Sequence, residues 1–217
     1  MTKRLHMESD PQGLTPELPP DPIRCPWTGI ADAEYARYHD EEWGVPKTDD
    51  RALFEKLVLE GFQSGLSWLT ILKKRDNFRS AFDQFDAARI ARYGEADRAR
   101  LMADAGIVRN RLKIEATIDN ARAYLALVER TSLSAFIWGF LEGRPIINAR
   151  ASMREVPPHN ELSKQISKAL KAEGFRFVGP TTVYAFMQAS GLVNDHLVDC
   201  HRHEACARLQ RLVGAGG

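Results

Sequence analysis

The 217-residue chain holds only three cysteines, Cys25, Cys200 and Cys206. Three are too few, and too odd in number, for a disulfide framework, so they read as thiols or metal ligands in a reducing compartment. No run of 18 or more apolar residues occurs, which excludes a helix that spans a membrane. The N-terminus lacks the apolar core of a secretory leader, so the expected location is the cytoplasm. Net charge is nearly absent as well: 30 Lys and Arg face 29 Asp and Glu, leaving +1. That balance excludes a histone-like polycation while leaving room for a local basic face. Internal repeats, low-complexity tracts and period-two alternation are also missing, and the last of these argues against a sheet-based fold. What is present is 44% apolar and 27% charged residues, the balance of an ordinary globular protein long enough to bury a core.

Residues 1–22 stand apart, since five of the 11 prolines fall there with almost no bulky apolar residues. Such a stretch cannot bury enough surface to offset its ordering entropy, and it is expected to be a disordered Pro-rich tail. From residue 31 the apolar period is helical. Thr48 or Asp49 can cap a helix running to about Gly65 with Leu53, Phe54, Leu57 and Val58 inward. A second helix is expected from Ser67 through Trp68, Leu69, Ile71 and Leu72 into the basic run Lys73–Lys74–Arg75. Further helices are expected at Asp97–Asp104, Asn110–Glu129, Ser132–Leu141, Asn160–Ala172 and Thr181–Ala189. Ser152-x-x-Glu155 has the form of a capping box, with Pro157 following too soon for a long helix. The fold class is all-α.

Four groups of residues can carry chemistry. His196 and Cys200 are four apart, a spacing that on a helix would point them the same way, while Cys25 and His39 form a second pair. Together they could fill a tetrahedral zinc site, or each could be a lone core or surface residue; His201, His203 and Cys206, in a charged tail, compete as ligands. Trp27, Tyr35, Tyr38, Trp43 and Trp68 cluster before residue 70, as simple core or as stacking platforms for a flat base or a cation. Glu60 stands at i+7 from Leu53, beside the apolar side of its helix. A carboxylate there either reaches out to water or needs a cation or donor to meet it. Finally, Gly174–Thr181 joins two helices: Gly174 suits a left-handed C-cap and Pro180 a first helical turn. Such a turn is an ordinary helical hairpin or a phosphate site at a helix N-terminus, with Lys164, Lys168 and Lys171 preceding it at helical spacing.

The strings YHDEEWGVP (38–46), LEGFQSGLSWLTILKKR (59–75), DAGIVRNRLKI (104–114) and GFRFVGPTTVYAFMQASGLVNDHLVDC (174–200) closely resemble the DNA-3-methyladenine glycosylase I family. The resemblance runs from about residue 24 to 200 in unbroken order. It implies an all-α helix–hairpin–helix glycosylase domain over 23–203, the hairpin near 160–191, followed by a C-terminal tail over 204–217. It also implies a structural zinc joining the chain's two ends through Cys25, His39, His196 and Cys200. The family's base pocket falls on Trp27, Tyr35, Tyr38, Trp43, Glu60 and Trp68, with Glu60 the catalytic group. DNA contacts fall on Gly174, Phe175, Val178 and Gly179, and Leu66 is the natural wedge into the duplex. The implied partner is duplex DNA containing alkylated bases, met by a monomer without a membrane. Related helix–hairpin–helix glycosylases place a catalytic Asp beyond the hairpin, where Asp195 falls, but the resemblance implies that this family does not use it so. The rival readings are a non-catalytic module binding DNA or abasic sites through hairpin and zinc, and a metal-dependent hydrolase, against which four filled ligand positions speak.

Overall fold

The computed structural model describes residues 21–214, so the expected Pro-rich tail lies, but for its last two residues, outside the described residues. The chain begins with α1 (Ala33–Glu41), started by Asp32, whose carboxylate accepts from the N–H groups of Glu34 and Tyr35. Then comes α2 (Asp50–Gln63), capped by Asp49; nine of its residues are buried, Glu60 among them, so it runs through the core rather than over it. The helix expected from Ser67 forms in two pieces, α3 (Trp68–Leu72) and α4 (Arg75–Ala81). They break at the basic run, where the Lys74 ammonium is drawn to the carbonyls of Ala105 and Gly106.

Short helices α5 (Ala87–Ile90) and α6 (Glu95–Ala103) lead to α7 (Arg111–Val128), capped by Asn110. Its apolar period buries Ile114, Ile118 and Ala121. Each buried aliphatic side chain contributes about 1.5–3 kcal/mol, enough to hold the helix against α5 and α2. Ser132 caps α8 (Leu133–Gly139). Residues Ser152 to Glu155 make only one 3-10 turn, with the Glu155 carboxylate accepting from the Ser152 hydroxyl and the Ala151 N–H, and Pro157 and Pro158 prevent extension. Helices α9 (Glu161–Ala172) and α10 (Pro180–Ala189) pack on one another, and α10 also packs on α2.

One pairing departs from pure helix. Strand β1 (Ile146–Ile147) lies parallel to β2 (Val193–Asn194), with Ile146 opposite Val193. Beyond β2 the expected tail over 204–217 is corrected: His203–Gly214 is a helix, α11. It stays on the body because Cys206, Ala207 and Gln210 are fully buried, and Gln210 Nε2 donates to the carbonyls of Gly44 and Gly191. Gly191 itself has φ +72°, and a Cβ there would stand 2.4 Å from the Pro46 nitrogen. No side chain fits between those two backbones.

Two apolar clusters result. The larger gathers Phe54, Phe62, Phe78, Phe82 and Phe85 with the inner faces of α7, α9 and α10. The smaller holds Cys25, Tyr38, Trp43, Leu72, Leu197 and Cys200, with Trp27, Tyr35 and Trp68 packed against it. It is built from both ends of the described chain, which a hydrogen bond from the His201 N–H to the Ile23 carbonyl also ties together.

Candidate active site and metal centre

Helix α1 places Tyr35 and, one turn on, Tyr38 and His39, and Trp43 follows two residues after the helix ends. Across from them α2 presents Glu60 and α3 presents Trp68. The five aromatics expected to line a pocket do converge, with Trp27 against Trp43 at 4.7 Å and against Tyr35 at 5.1 Å, and Tyr38 against Trp68 at 5.3 Å between ring centroids. They and Glu60 surround a cleft of about 220 Å³ completed by Gln63, Met153, Val156, Ala185 and Gln188. Pockets for drug-sized ligands run from about 300 to 1,000 Å³, so this one suits a single small flat ring system.

Glu60 does not reach out to water; its residue is only 4% exposed. One helical turn before it, Lys56 is equally buried, and its Nζ lies 3.2 Å from Glu60 Oε1. The same ammonium donates to the Tyr38 hydroxyl at 2.8 Å and lies 3.5 Å from the Trp68 ring centroid. Burial raises the Glu60 carboxyl above its ordinary value, and Lys56 partly offsets that. Burial likewise pushes the Lys56 ammonium down, to about 8, against the pull of Glu60. Lys56 is absent from the sequence-based site, although its i, i+4 relation to a misplaced carboxylate is the signal that could have found it.

The loop between α2 and α3 carries Leu66, 40% exposed. Gly65 turns the chain with φ +80°, and the Lys113 ammonium clamps the base of the loop by donating to the carbonyls of Phe62 and Ser64 at 2.8 and 2.6 Å. Leu66 is thus an apolar tip on an anchored stem. Beside it a second cleft of about 480 Å³ runs along Ser64, Gly65, Pro157, Pro158, Thr181 and Thr182, sharing Gln63, Val156, Ala185 and Gln188 with the aromatic pocket.

The hairpin between α9 and α10 narrows the expected DNA contacts. Gly174, just past the C-cap Glu173, takes φ +94°, and its N–H and that of Phe175 donate to the carbonyls of Lys171 and Leu170. The Phe175 side chain is buried too, so Phe175 offers a ligand neither side chain nor amide. Val178 is also buried as a side chain, and its carbonyl accepts from Ser167. Asn120 grips Arg176 by accepting from its N–H and donating to its carbonyl. Among the described residues no acceptor meets the N–H groups of Val178 and Gly179 or those of Thr181 and Thr182 in the first turn of α10. These point as a group at whatever approaches the helix N-terminus.

Cys25, His39, His196 and Cys200 are all buried, with ligand atoms within 4.8 Å of one another. The Cys200 sulfur lies 3.5 Å from His196 Nδ1 and 3.6 Å from His39 Nε2, and Cys25 Sγ lies 3.7 Å from His196 Nδ1. Sulfur and nitrogen ligands on a tetrahedral ion are about 3.6 Å apart when the metal bonds are about 2.3 and 2.05 Å, and these three sulfur–nitrogen distances match that spacing. The outer nitrogens are taken: His39 Nδ1 donates to Asp40 at 2.8 Å and His196 Nε2 to the Trp43 carbonyl at 3.0 Å. The closeness of the two sulfurs pulls Cys200 down toward thiolate and drives Cys25 up, since neighbouring sulfurs cannot both ionise without a cation between them. His201 and His203 instead bond Asp40 and the Asn148 carbonyl, and Cys206 packs under Trp43.

Asp195, next to His196, is 1% exposed and accepts from four donors: Asn148 and Arg150 on one oxygen, Tyr184 and Gln188 on the other, all at 2.7 to 2.8 Å. Those hydrogen bonds outweigh burial and hold its carboxyl below the ordinary range. Every lone pair is committed within the fold.

Comparison with known proteins places this geometry. The profile of the methyladenine glycosylase family matches residues 27–203. A DNA-3-methyladenine glycosylase of Haemophilus influenzae is 51% identical over 178 residues, 82% of this chain and 96% of that one. DNA-3-methyladenine glycosylase 1 of Escherichia coli K12 is 50% identical over 178 residues, covering 82% and 95%. A crystal structure of 3-methyladenine DNA glycosylase I, 51% identical, superposes with a TM-score of 0.81 over 83% of this chain and 100% of that one. The Staphylococcus aureus protein, solved for the structural basis of 3-methyladenine recognition, is 39% identical, with a TM-score of 0.78 over 81% and 94%.

Proposed function

Because the chain belongs to the methyladenine glycosylase family, we propose that it is a DNA-3-methyladenine glycosylase, hydrolysing the N-glycosidic bond of 3-methyladenine in alkylated DNA and leaving an abasic site. The observation that carries this reading is the buried Glu60 carboxylate in a cleft walled by Trp27, Tyr35, Tyr38, Trp43 and Trp68. A bare hairpin binder has no use for an acid held among stacking rings at a desolvation cost.

To reach such a cleft the lesion nucleotide must leave the stack, and a damaged, poorly paired base leaves most readily. Leu66, apolar and exposed on its clamped loop, fills the gap left in the duplex. The Val178, Gly179, Thr181 and Thr182 amides and the N-terminus of α10 hold a backbone phosphate beside it. Methylation at N3 puts positive charge on the purine, so the base departs with little acid assistance. The aromatic faces hold the flat cation, and Glu60 accepts from its amino edge while countering the charge that develops on the sugar. Unmodified adenine is neutral and gains less from both, which gives selection without a strong general base.

Zinc is the ion that the Cys25, His39, His196 and Cys200 donor set fits. With four protein ligands it has no open position, so its role is to bind the N-terminal segment and the segment after β2 into one unit under the aromatic wall. The protein is proposed to act as a monomer on duplex DNA. Among the described residues, no helix is long and apolar enough to cross a membrane.

The test is release of free base from methylated duplex DNA by wild type and Glu60→Gln, resolved by chromatography. Wild type frees 3-methyladenine and spares 7-methylguanine, and the variant is slowed. Binding of duplex without release of any base would assign the fold to recognition alone.

A further inference from the structure

Behind the aromatic wall lies a smaller cavity of about 90 Å³, lined by Glu42, Lys47, Glu55, Lys56, Trp68 and Arg75 among others. Both of its carboxylates are already engaged. Arg75 makes a two-pronged contact with Glu42 at 2.6 and 2.8 Å, and Arg79 takes Glu55 at 2.8 Å. The Lys47 ammonium is spent on the Glu42 carbonyl. With both of these acids engaged, the Lys56 ammonium turns the other way, into the wall of the base pocket. Among the described residues its one carboxylate partner is Glu60.

We propose that Lys56 is the positioning residue of the base pocket: its ammonium fixes Glu60, Tyr38 and Trp68 in one arrangement and thereby sets the preference for the N3-methylated base. The inference rests on the glycosylase reading above. Three contacts carry it. Nζ holds Glu60 Oε1 at 3.2 Å, which leaves Oε2 as the oxygen for the amino edge of a base. It donates to the Tyr38 oxygen at 2.8 Å, so the phenol's own proton is left for a different acceptor. It covers one face of the Trp68 indole at 3.5 Å, so the ring offers a ligand only what Lys56 leaves uncovered. A pocket holding Glu60 alone would draw in any cation. With Lys56 paired to it, that indiscriminate pull is weakened, and selection falls to the aromatic faces and the free Glu60 oxygen, which together suit a flat cationic base with an amino edge.

The groups facing Lys56 are Glu60 and Glu55 from its own helix, Tyr38 from α1, Glu42 and Lys47 from the loop after it, Trp68 from α3, and Arg75 and Arg79 from α4. Removing the ammonium leaves Glu60 buried without a counter-ion, so the carboxyl holds its proton to higher pH and presents a donor where the base needs an acceptor. Burial already lowers Lys56 to about 8, so the pair is charge-matched at neutral pH and loses its cation in mildly alkaline solution.

The experiment is single-turnover release of 3-methyladenine at saturating enzyme between pH 5.5 and 9.5, for wild type, Lys56→Met and Lys56→Gln. Free 3-methyladenine and adenine binding is followed alongside by tryptophan fluorescence. Lys56→Met is expected to slow release about tenfold at pH 7 and to move the acid limb of the profile up by about one pH unit. Its binding preference for 3-methyladenine over adenine falls. Lys56→Gln, which can still donate to Tyr38 and Glu60, lies between the two and reports the same limbs should Lys56→Met fail to fold. A slower variant with an unchanged pH profile and unchanged base preference would mean that Lys56 only packs, and would overturn the proposal. A wild type that releases no base at any pH would instead remove the glycosylase reading beneath it.

Discussion

Two carboxylates are buried in this molecule to nearly the same depth, and their surroundings are opposite. Asp195 receives four hydrogen bonds from Asn148, Arg150, Tyr184 and Gln188 and is held ionised, its carboxyl below the ordinary range. Glu60 receives one ammonium and otherwise faces an open cleft, and its carboxyl lies above the ordinary range. Burial alone therefore says little about role; the number of lone pairs left uncommitted says more. A saturated acid ties β2 and α10 to the segment after β1, while an undersatisfied one is available to a ligand.

The contrast can be pressed in order of expected effect. The zinc centre proposed at Cys25, His39, His196 and Cys200 would belong with Asp195 on the structural side. Stripping zinc with a chelator should cost on the order of 5 kcal/mol, read as a fall in melting temperature that zinc restores, with excision retained wherever the fold persists. Asp195→Ala should cost about 3–5 kcal/mol in denaturant unfolding, because Arg150 and three further donors lose their common acceptor. The pH dependence has opposite signs at the two acids. The folded pKa of Asp195 is depressed, so its stabilisation is present above the ordinary carboxylate range and is lost as pH falls through the folded value. That of Glu60 is raised, so any stability linked to it is present at low pH and is lost as pH rises through its folded value. Acid unfolding of Asp195→Asn should accordingly begin from a lower stability and show a shallower pH slope than wild type. Glu60→Gln should lower excision about 100-fold while changing stability by no more than about 1 kcal/mol, since the amide oxygen can still accept from Lys56. Smallest in stability is Leu66→Ala, within about 0.5 kcal/mol because the side chain is half in water, with a several-fold loss in base release that only duplex substrate reveals.

Much of this was legible in the residues because the helical period is strong where the helices are amphipathic. The spacing of Ile114, Ile118, Ala121 and Leu125 and the Asn110 cap place α7 to within a residue, and Asp49 does the same for the start of α2. Helix α11 was not legible: its fully buried residues are Cys206, Ala207 and Gln210, small or polar, while its leucines Leu209 and Leu212 are exposed, and Gln210 is stabilised by two carbonyls distant in sequence. Helix α1 was hidden for a related reason, since its buried residues are Tyr38 and His39, with no aliphatic side chain larger than alanine to mark a stripe. At the break between α3 and α4 the Lys74 ammonium meets the carbonyls of Ala105 and Gly106, partners that no local pattern around Lys74 could announce. In the site, spacing put Glu60 beside the apolar face but left open whether it met water or a partner. Only the fold shows Lys56, Tyr38 and Trp68 closing around it. Phe175 illustrates the converse, a motif residue whose position within the hairpin turn commits both its ring and its amide to the interior.

The most direct test sets the two acids side by side: single-turnover release of 3-methyladenine from methylated duplex by Glu60→Gln and Asp195→Asn, at a temperature where circular dichroism shows both folded. The account predicts that Glu60→Gln falls about 100-fold and that Asp195→Asn stays within about tenfold of wild type. Complete loss of release in a folded, zinc-retaining Asp195→Asn protein, with Glu60→Gln near wild type, would contradict it and move the chemistry to the acid beyond the hairpin.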